Sequence, residues 1–263
     1  MLLITRLRKS KYHLIFQVLP VVVFAGCVKI TFHFLGWEMI PKDFTAFLPS
    51  ILTGIIFILE FLLAGVVTDY KESEKIPNEL AMSIFILWQE AVFTREMQGC
   101  PTAPEMLNKL KLFIPRLKEE FFFKQNNQIL FYLNELSEDI IQLGREGAAA
   151  NYIFRMKIEI SNLKKLMNRV TVIKKTEFIP SAVVCIQAFT VIFLTFYCFL
   201  IVEPWWGGLL LTSIFTFVIL TVLLLIKDME DPFRYDGSVA VKSDEVSLAV
   251  LDQLQEEFEA IKI

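Results

Sequence analysis

Glu60 stands out in this sequence because it is the only acidic residue within four long apolar segments. An ionisable side chain deep in a membrane is costly and commonly marks a path for ions. The alternative is an ion pair with Lys29, the only lysine or arginine in those segments. Counted from the same membrane surface, the two side chains differ in depth by ~10 Å at ~1.5 Å per residue. Such a pair would be strained, so a position beside a water-filled path is favoured.

The other reactive residues lack the spacing of a catalytic or metal site. His13 and His33 lie near opposite ends of one apolar segment. The cysteines show no CxxC spacing, and there is no HExxH, P-loop, GxGxxG or GxSxG motif. We therefore expect no enzymatic activity, no metal or other cofactor and no disulfide framework. The net charge of −3 gives no indication of nucleic-acid binding.

The composition predicts an all-α membrane protein. Apolar residues make up 55% of the chain and charged residues 21%, with a mean hydropathy of +0.53. Each span needs about 20 mostly apolar residues, and four segments qualify: 13–37, 44–67, 179–202 and 204–226. The chain then divides into residues 1–68 with two spans, a helical domain over 69–178, two further spans over 179–227, and a C-terminal segment over 228–263.

Basic residues near the span ends predict the orientation. Four of them precede the first span, and three flank the last two spans: Arg6, Arg8, Lys9, Lys11, Lys174, Lys175 and Lys227. The loops at 36–43 and 203–206 carry little positive charge. This pattern places both termini and residues 69–178 in the cytoplasm, with the spans in the cell (inner) membrane.

Residues 69–178 show helical spacing of apolar positions and predict helices over 78–97, 103–124, 127–144 and 148–177, the first beginning after Pro77. The last helix has one apolar face and one basic face, with little acid to balance it. The basic face includes Lys164, Lys165 and Arg169. One interpretation is a solvated face that follows the positive-inside rule. The other is a basic wall that concentrates anions below a pore.

The second span has two contrasting faces when it is placed on a helix at about 100° per residue. One face is aliphatic. The other is small, polar or aromatic, and includes Thr53, Phe57 and Phe61 at an i, i+4, i+8 spacing. In an oligomer these three residues would form stacked rings around an axis, which can close a pore by excluding water. The alternative is a packing face, with the two phenylalanines wedged against the other spans.

Two stretches resemble the bestrophins and their bacterial relatives. The sequence FILEFLLAGVVT at 57–68 is similar to the pore-lining second helix of that family, where bulky apolar residues four apart form a narrow neck. Asp231, Pro232 and Phe233, which follow the last span, resemble the family's acidic-Pro-Phe signature. That signature leads into a C-terminal segment that packs along the cytoplasmic domain.

The resemblance implies a homopentamer in the lipid bilayer, with one central pore for small inorganic ions, most often anions such as chloride. It places Thr53, Phe57 and Phe61 at the neck. Glu60 departs from the family, which usually has glycine at that position, and five ionised glutamates would repel anions and favour cations. The sequence RYDG at 234–237 replaces the acidic run that clasps calcium in animal bestrophins, which argues against a calcium clasp.

Three functions stay open at this point. The first is an anion channel, and the second is a cation-conducting channel with Glu60 at the neck. The third is a non-conducting membrane scaffold or sensor whose cytoplasmic helices bind a partner. In a scaffold, Phe57 and Phe61 would stabilise packing and would not control ion flow.

Overall fold

The computed structural model describes residues 13–123, 128–175, 180–230, 232–233, 235 and 245–261. In these ranges the chain forms eight α-helices: α1 (His13–Phe34), α2 (Leu48–Gln98), α3 (Ala103–Phe123), α4 (Gln128–Arg145), α5 (Ala150–Lys175), α6 (Pro180–Phe199), α7 (Trp205–Met229) and α8 (Ala249–Ala260). A 3-10 helix (Lys42–Phe47) directly precedes α2. The described residues contain no strand, only an isolated bridge between Ile40 and Leu200. The all-α prediction is confirmed.

The helices form two compact units. The membrane unit contains α1, the 3-10 helix, α2 as far as Tyr70, α6 and α7. The polar unit contains α2 from Lys71, then α3, α4, α5 and α8. Four helical segments are long and apolar enough to cross a membrane, namely α1, the 3-10 helix with α2, α6 and α7. The prediction of a multi-pass protein with four spans is therefore confirmed, whereas the basic residues before His13 lie outside the described residues.

The predicted helix boundary at Pro77 is wrong, because α2 continues through this residue from Leu48 to Gln98. Proline removes one backbone hydrogen bond and usually kinks or ends a helix. Here the adjoining turns are buried in the apolar core of the polar unit, where Ile76 is 3% and Leu80 0% exposed. Packing against other helices supplies most helical stability in proteins and outweighs this local signal.

The core of the polar unit follows the predicted periodicity. One stripe of α5 is buried, as its three- and four-residue spacing indicates: Met156, Ile160, Leu163, Met167 and Val170. α8 contributes to the same core, since the ring of Phe258 stacks on Trp88 with 4.1 Å between their centroids. The C-terminal segment therefore packs on this unit, as the family resemblance implies.

A buried ammonium group joins three segments at one end of the membrane unit. Lys29 of α1 is 3% exposed and donates a hydrogen bond of 2.7 Å to the carbonyl oxygen of Leu200. Its Nζ also lies 3.4 Å from the carbonyl oxygens of Tyr197 and Cys198, at the end of α6. Carbonyls at a helix C-terminus lack intrahelical partners and carry a partial negative charge. The same Nζ lies 2.6 Å from the carboxylate of Glu38, which fixes the loop after α1.

The surroundings of Lys29 leave little spare room. A Cβ atom at Gly208 of α7 would lie 3.3 Å from Cε of Lys29 and 3.1 Å from Cβ of Val202. Glu38 is also 3.0 Å from Nδ1 of His33. Burial opposes ionisation of Glu38, but the hydrogen bonds and charges of Lys29 and His33 outweigh it and hold the pKa of this carboxyl below its usual value. The cluster is thus a preformed ion pair.

Replacement of Lys29 by methionine (Lys29→Met) should lower the free energy of unfolding by about 3 kcal/mol, because it leaves a carboxylate enclosed without its partner. Reversible unfolding in mixed micelles measures this quantity. Lys42→Met is the matched control, since Lys42 forms an exposed pair with Glu203 and such pairs contribute little. Equal destabilisation by the two substitutions would contradict the assigned role of Lys29.

Candidate functional site

The N-terminal half of α2 buries one side within the membrane unit. At ~100° per residue the buried side chains share an arc of about 60°, and they belong to an apolar core shared with α6 and α7. They are Ile55, Leu59, Leu62 and Val66, at 5%, 2%, 1% and 1% exposure. These residues come from the aliphatic face that the sequence indicates. These four residues of that face therefore pack inside the protomer, whereas Ile51 and Ile58 of the same face are exposed.

The opposite face of α2 is not covered by the described helices of the protomer. Phe57 and Phe61 are 68% and 67% exposed, and Thr53 is exposed as well. Thr53 and Phe61 lie about 40° to either side of Phe57 at ~100° per residue. The Thr53 hydroxyl donates to the carbonyl oxygen of Pro49 at 2.7 Å, so its hydrogen bond stays within the helix. The predicted neck residues thus share one exposed surface, and their role in a pore stays a prediction.

Glu60 is exposed on the same surface, about 60° from Phe57 and nearly in line with Thr53. We call Thr53, Phe57, Glu60 and Phe61 the α2 stripe. The alternative pairing of Glu60 with Lys29 is not formed, because Lys29 is enclosed by Glu38 and the end of α6. In a membrane an unneutralised carboxylate requires water or another protein surface. The α2 stripe therefore needs a partner other than lipid tails.

The basic face of α5 has more acidic partners than its own sequence indicates. Arg169 pairs with Glu72 at 3.0 Å, and Arg155 pairs with Glu90 at 3.1 Å. Both carboxylates come from α2, so the expectation of little balancing acid is wrong. The reason is that the compensating charges lie about 65 to 97 positions away in the sequence, beyond the reach of a helical pattern.

Lys164, Lys165 and Arg169 belong to the basic wall predicted to concentrate anions, which we call the anion vestibule. Lys164 and Lys165 differ in their contacts. Nζ of Lys164 donates to Asn134 at 2.9 Å and to Ser137 at 3.3 Å, both on α4. Lys165 is exposed and lines a shallow groove of about 410 Å³ between α2 and α5. Of the three predicted residues, Lys165 is thus the one whose charge is most open to solvent. The vestibule stays a prediction.

The C-terminal signature lies in the polar unit as far as it is described. Pro232 is buried, and its carbonyl accepts a hydrogen bond of 3.0 Å from the amide of Val246. Phe233 is 1% exposed and packs on Phe121 with 5.5 Å between ring centroids. Asp231 lies outside the described residues. Pro232 and Phe233 therefore anchor the start of the C-terminal segment by packing.

One charged cluster was missed by sequence reasoning. Lys29 and His33 are four residues apart on α1 and share a face, and Glu38 follows the helix at its end. This i, i+4 spacing of two basic groups, followed by an acid, was the available signal. Among the described residues, no three His, Cys, Asp or Glu side chains come together in a way that could hold a metal ion.

Solved structures resemble this chain over nearly its whole length. A point variant of a bacterial bestrophin homologue from Klebsiella pneumoniae matches with a TM-score of 0.74 and 14% identity, covering 94% of this chain and 97% of that chain. A second point variant matches with a TM-score of 0.75 and 13% identity over 94% and 95% of the two chains. The structure of the homologue solved by Zn-SAD phasing matches with a TM-score of 0.73 and 14% identity, covering 93% of this chain and 96% of that chain.

No family model matches the chain, and no curated protein matches it. The similarity to these structures therefore lies in the fold of the chain, which has four apolar helices and a helical polar unit in its described residues. At a sequence identity near 14%, the TM-score of 0.74 establishes similarity of fold alone. In its fold the chain is a divergent bestrophin-like protein.

Proposed function

We propose that the protein is a bestrophin-like homopentameric channel that conducts small inorganic ions and prefers anions such as chloride. Thr53, Phe57 and Phe61 would form its neck. The observation that carries this proposal is the asymmetry of α2. One face is packed inside the protomer, whereas the α2 stripe is exposed and contains a carboxylate. A ring of protomers around a water-filled axis gives every member of that stripe a suitable environment.

The neck would control flow through its aromatic rings. Five copies of Phe57 and five of Phe61 would form two apolar constrictions one helical turn apart, about 6 Å along the axis. A narrow apolar constriction excludes water and hence ions, and a small rotation of α2 that moves the rings aside would rewet it. The buried face of α2 makes this motion a repacking against α6 and α7.

The preference for anions rests on the fold resemblance and on the basic face of α5, where Lys164, Lys165 and Arg169 are the candidate vestibule residues. The Arg169–Glu72 pair reduces the net charge of that face. Glu60 opposes the preference, because a ring of carboxylates beside the neck favours cations. A cation-conducting channel with Glu60 as its selectivity residue is therefore the second candidate.

The proposed orientation places both termini, residues 69–178 and residues 228–263 in the cytoplasm, with the spans in the cell (inner) membrane. The loop that holds Glu38 and the α6–α7 turn would then face outward. A non-conducting scaffold or sensor is the remaining alternative. It gains support if Phe57 and Phe61 affect stability without affecting ion flux.

Flux from liposomes that contain the purified protein tests the proposal, with chloride and sodium gradients applied separately. We expect chloride-dominated flux in the unmodified protein. We expect Phe57→Ala and Phe61→Ala to raise it about tenfold, which corresponds to a barrier lower by ~1.4 kcal/mol. Phe24→Ala is the matched control, because Phe24 lies on α1 with the same 68% exposure as Phe57 and should leave flux unchanged.

Other results of this assay point to the alternatives. Sodium-dominated flux would retain the channel and assign selectivity to Glu60. Absence of flux in both gradients, from protein shown to be folded, would favour the scaffold. If Phe57→Ala lowers the stability of the protein but leaves ion flux unchanged, the assignment of Phe57 to the neck would be contradicted.

Glu60→Gln tests whether this carboxylate lies beside the ion path. It removes a charge but keeps the size of the side chain, so the reversal potential under a salt gradient should move toward the chloride equilibrium potential. Recordings from planar bilayers measure the shift. Glu96→Gln, at an exposed position near the end of α2 in the polar unit, should produce no shift. An unchanged reversal potential in Glu60→Gln would remove Glu60 from the path.

A further inference from the structure

An open cavity lies in the membrane unit. It measures about 610 Å³ and is lined by the 3-10 helix, the start of α2, the end of α6, the α6–α7 turn and the first part of α7. This volume is in the range of pockets that hold a small organic ligand. On α7 the lining residues are Leu211 and Phe215, which lie about 6 Å apart along the helix axis at ~1.5 Å per residue.

The lining changes from charged to apolar with depth. Lys42, Asp43 and Glu203 lie at the rim, where the carboxylate of Glu203 is 3.4 Å from Nζ of Lys42. The deeper wall is formed by apolar side chains: Leu48, Leu52, Leu211 and Phe215. A charged rim above an apolar shaft matches a molecule with a polar head and a hydrocarbon tail.

One residue of the cavity wall carries a buried hydroxyl group that lacks a hydrogen-bond partner among the described residues. Tyr197 lines this cavity and is 0% exposed, and its hydroxyl oxygen has no hydrogen-bond partner among the described residues. Its ring is held by Phe193 and Phe215 at 6.3 and 5.7 Å between centroids. Buried hydroxyls are normally satisfied, and an orphaned one calls for an explanation such as an unseen partner. A ligand oxygen in the cavity would supply that partner.

We propose that this cavity binds one phospholipid whose headgroup carries an ammonium group, as in phosphatidylethanolamine. The rim favours a headgroup with an ammonium group because it presents two carboxylates and one lysine. Asp43 and Glu203 would receive the ammonium group, and Lys42 would contact the phosphate. An acyl chain would fill the apolar shaft, and the Tyr197 hydroxyl would donate to an ester carbonyl oxygen. A lipid with a purely anionic headgroup would bring no cation to Asp43 and would compete with Glu203 for Lys42.

Native mass spectrometry of the delipidated protein tests the proposal, with phosphatidylethanolamine and phosphatidylglycerol of identical acyl chains added in separate titrations. We expect the first lipid to bind about tenfold more tightly, a difference of ~1.4 kcal/mol. Asp43→Asn with Glu203→Gln should abolish that preference. Both residues are exposed, so folding should be preserved, and equal binding of the two lipids by the unmodified protein would overturn the headgroup assignment.

The location of the site is tested by filling the cavity. Leu211→Trp should abolish lipid binding, whereas Leu210→Trp on the outward side of α7, where Leu210 is 49% exposed, should not. Tyr197→Phe removes only the hydroxyl and should weaken binding without loss of the headgroup preference. Unchanged binding in both Leu211→Trp and Tyr197→Phe would overturn the site. These titrations do not depend on ion flux, so their outcome is separate from that of the proposed channel.

Discussion

The carboxylate of Glu60 places the strictest physical constraint on this molecule. It lies on a membrane helix whose opposite face is buried by Ile55, Leu59 and neighbouring aliphatic residues, so α2 cannot rotate to hide it without exposing its own core. Lys29, the basic group that could have neutralised it, is occupied by Glu38 and by the end of α6. Hydrocarbon does not accommodate such a group at low cost. The α2 stripe therefore calls for water or another protein surface, which the proposed channel would supply.

The Lys29–Glu38 cluster provides the complementary constraint within the protomer. One buried ammonium group lies within 3.4 Å of three carbonyl oxygens at the end of α6 and 2.6 Å from one carboxylate in the loop after α1. Gly208 provides the space that this side chain requires beside α7. These contacts tie the end of α6 to α1 and to the loop after α1. In the proposed channel, a rotation of α2 that opens the neck would have to repack the apolar core that α2 shares with α6 and α7.

Much of the fold could be predicted from the sequence, because hydropathy and helical period are local signals. They gave the four spans and the buried stripe of α5. They failed where distant residues decide the structure. Core packing on both sides of Pro77 keeps α2 continuous, and Glu72 and Glu90 reach the basic residues of α5 from another helix. The exposure of Phe57 and Phe61 could not be predicted from the sequence either, because their i, i+4 spacing also fits a buried packing face.

Cysteine accessibility along α2 tests the central claim most directly, in a variant that lacks the four native cysteines. Single cysteines at Thr53, Phe57 and Phe61 would be compared with one at Leu59, which is 2% exposed. If the α2 stripe lines an aqueous pore, a charged, membrane-impermeant thiol reagent should modify the first three positions and change ion flux, but should leave the Leu59 position unmodified. Protection of all three stripe positions in protein that conducts ions would place the pore elsewhere and contradict the proposed neck.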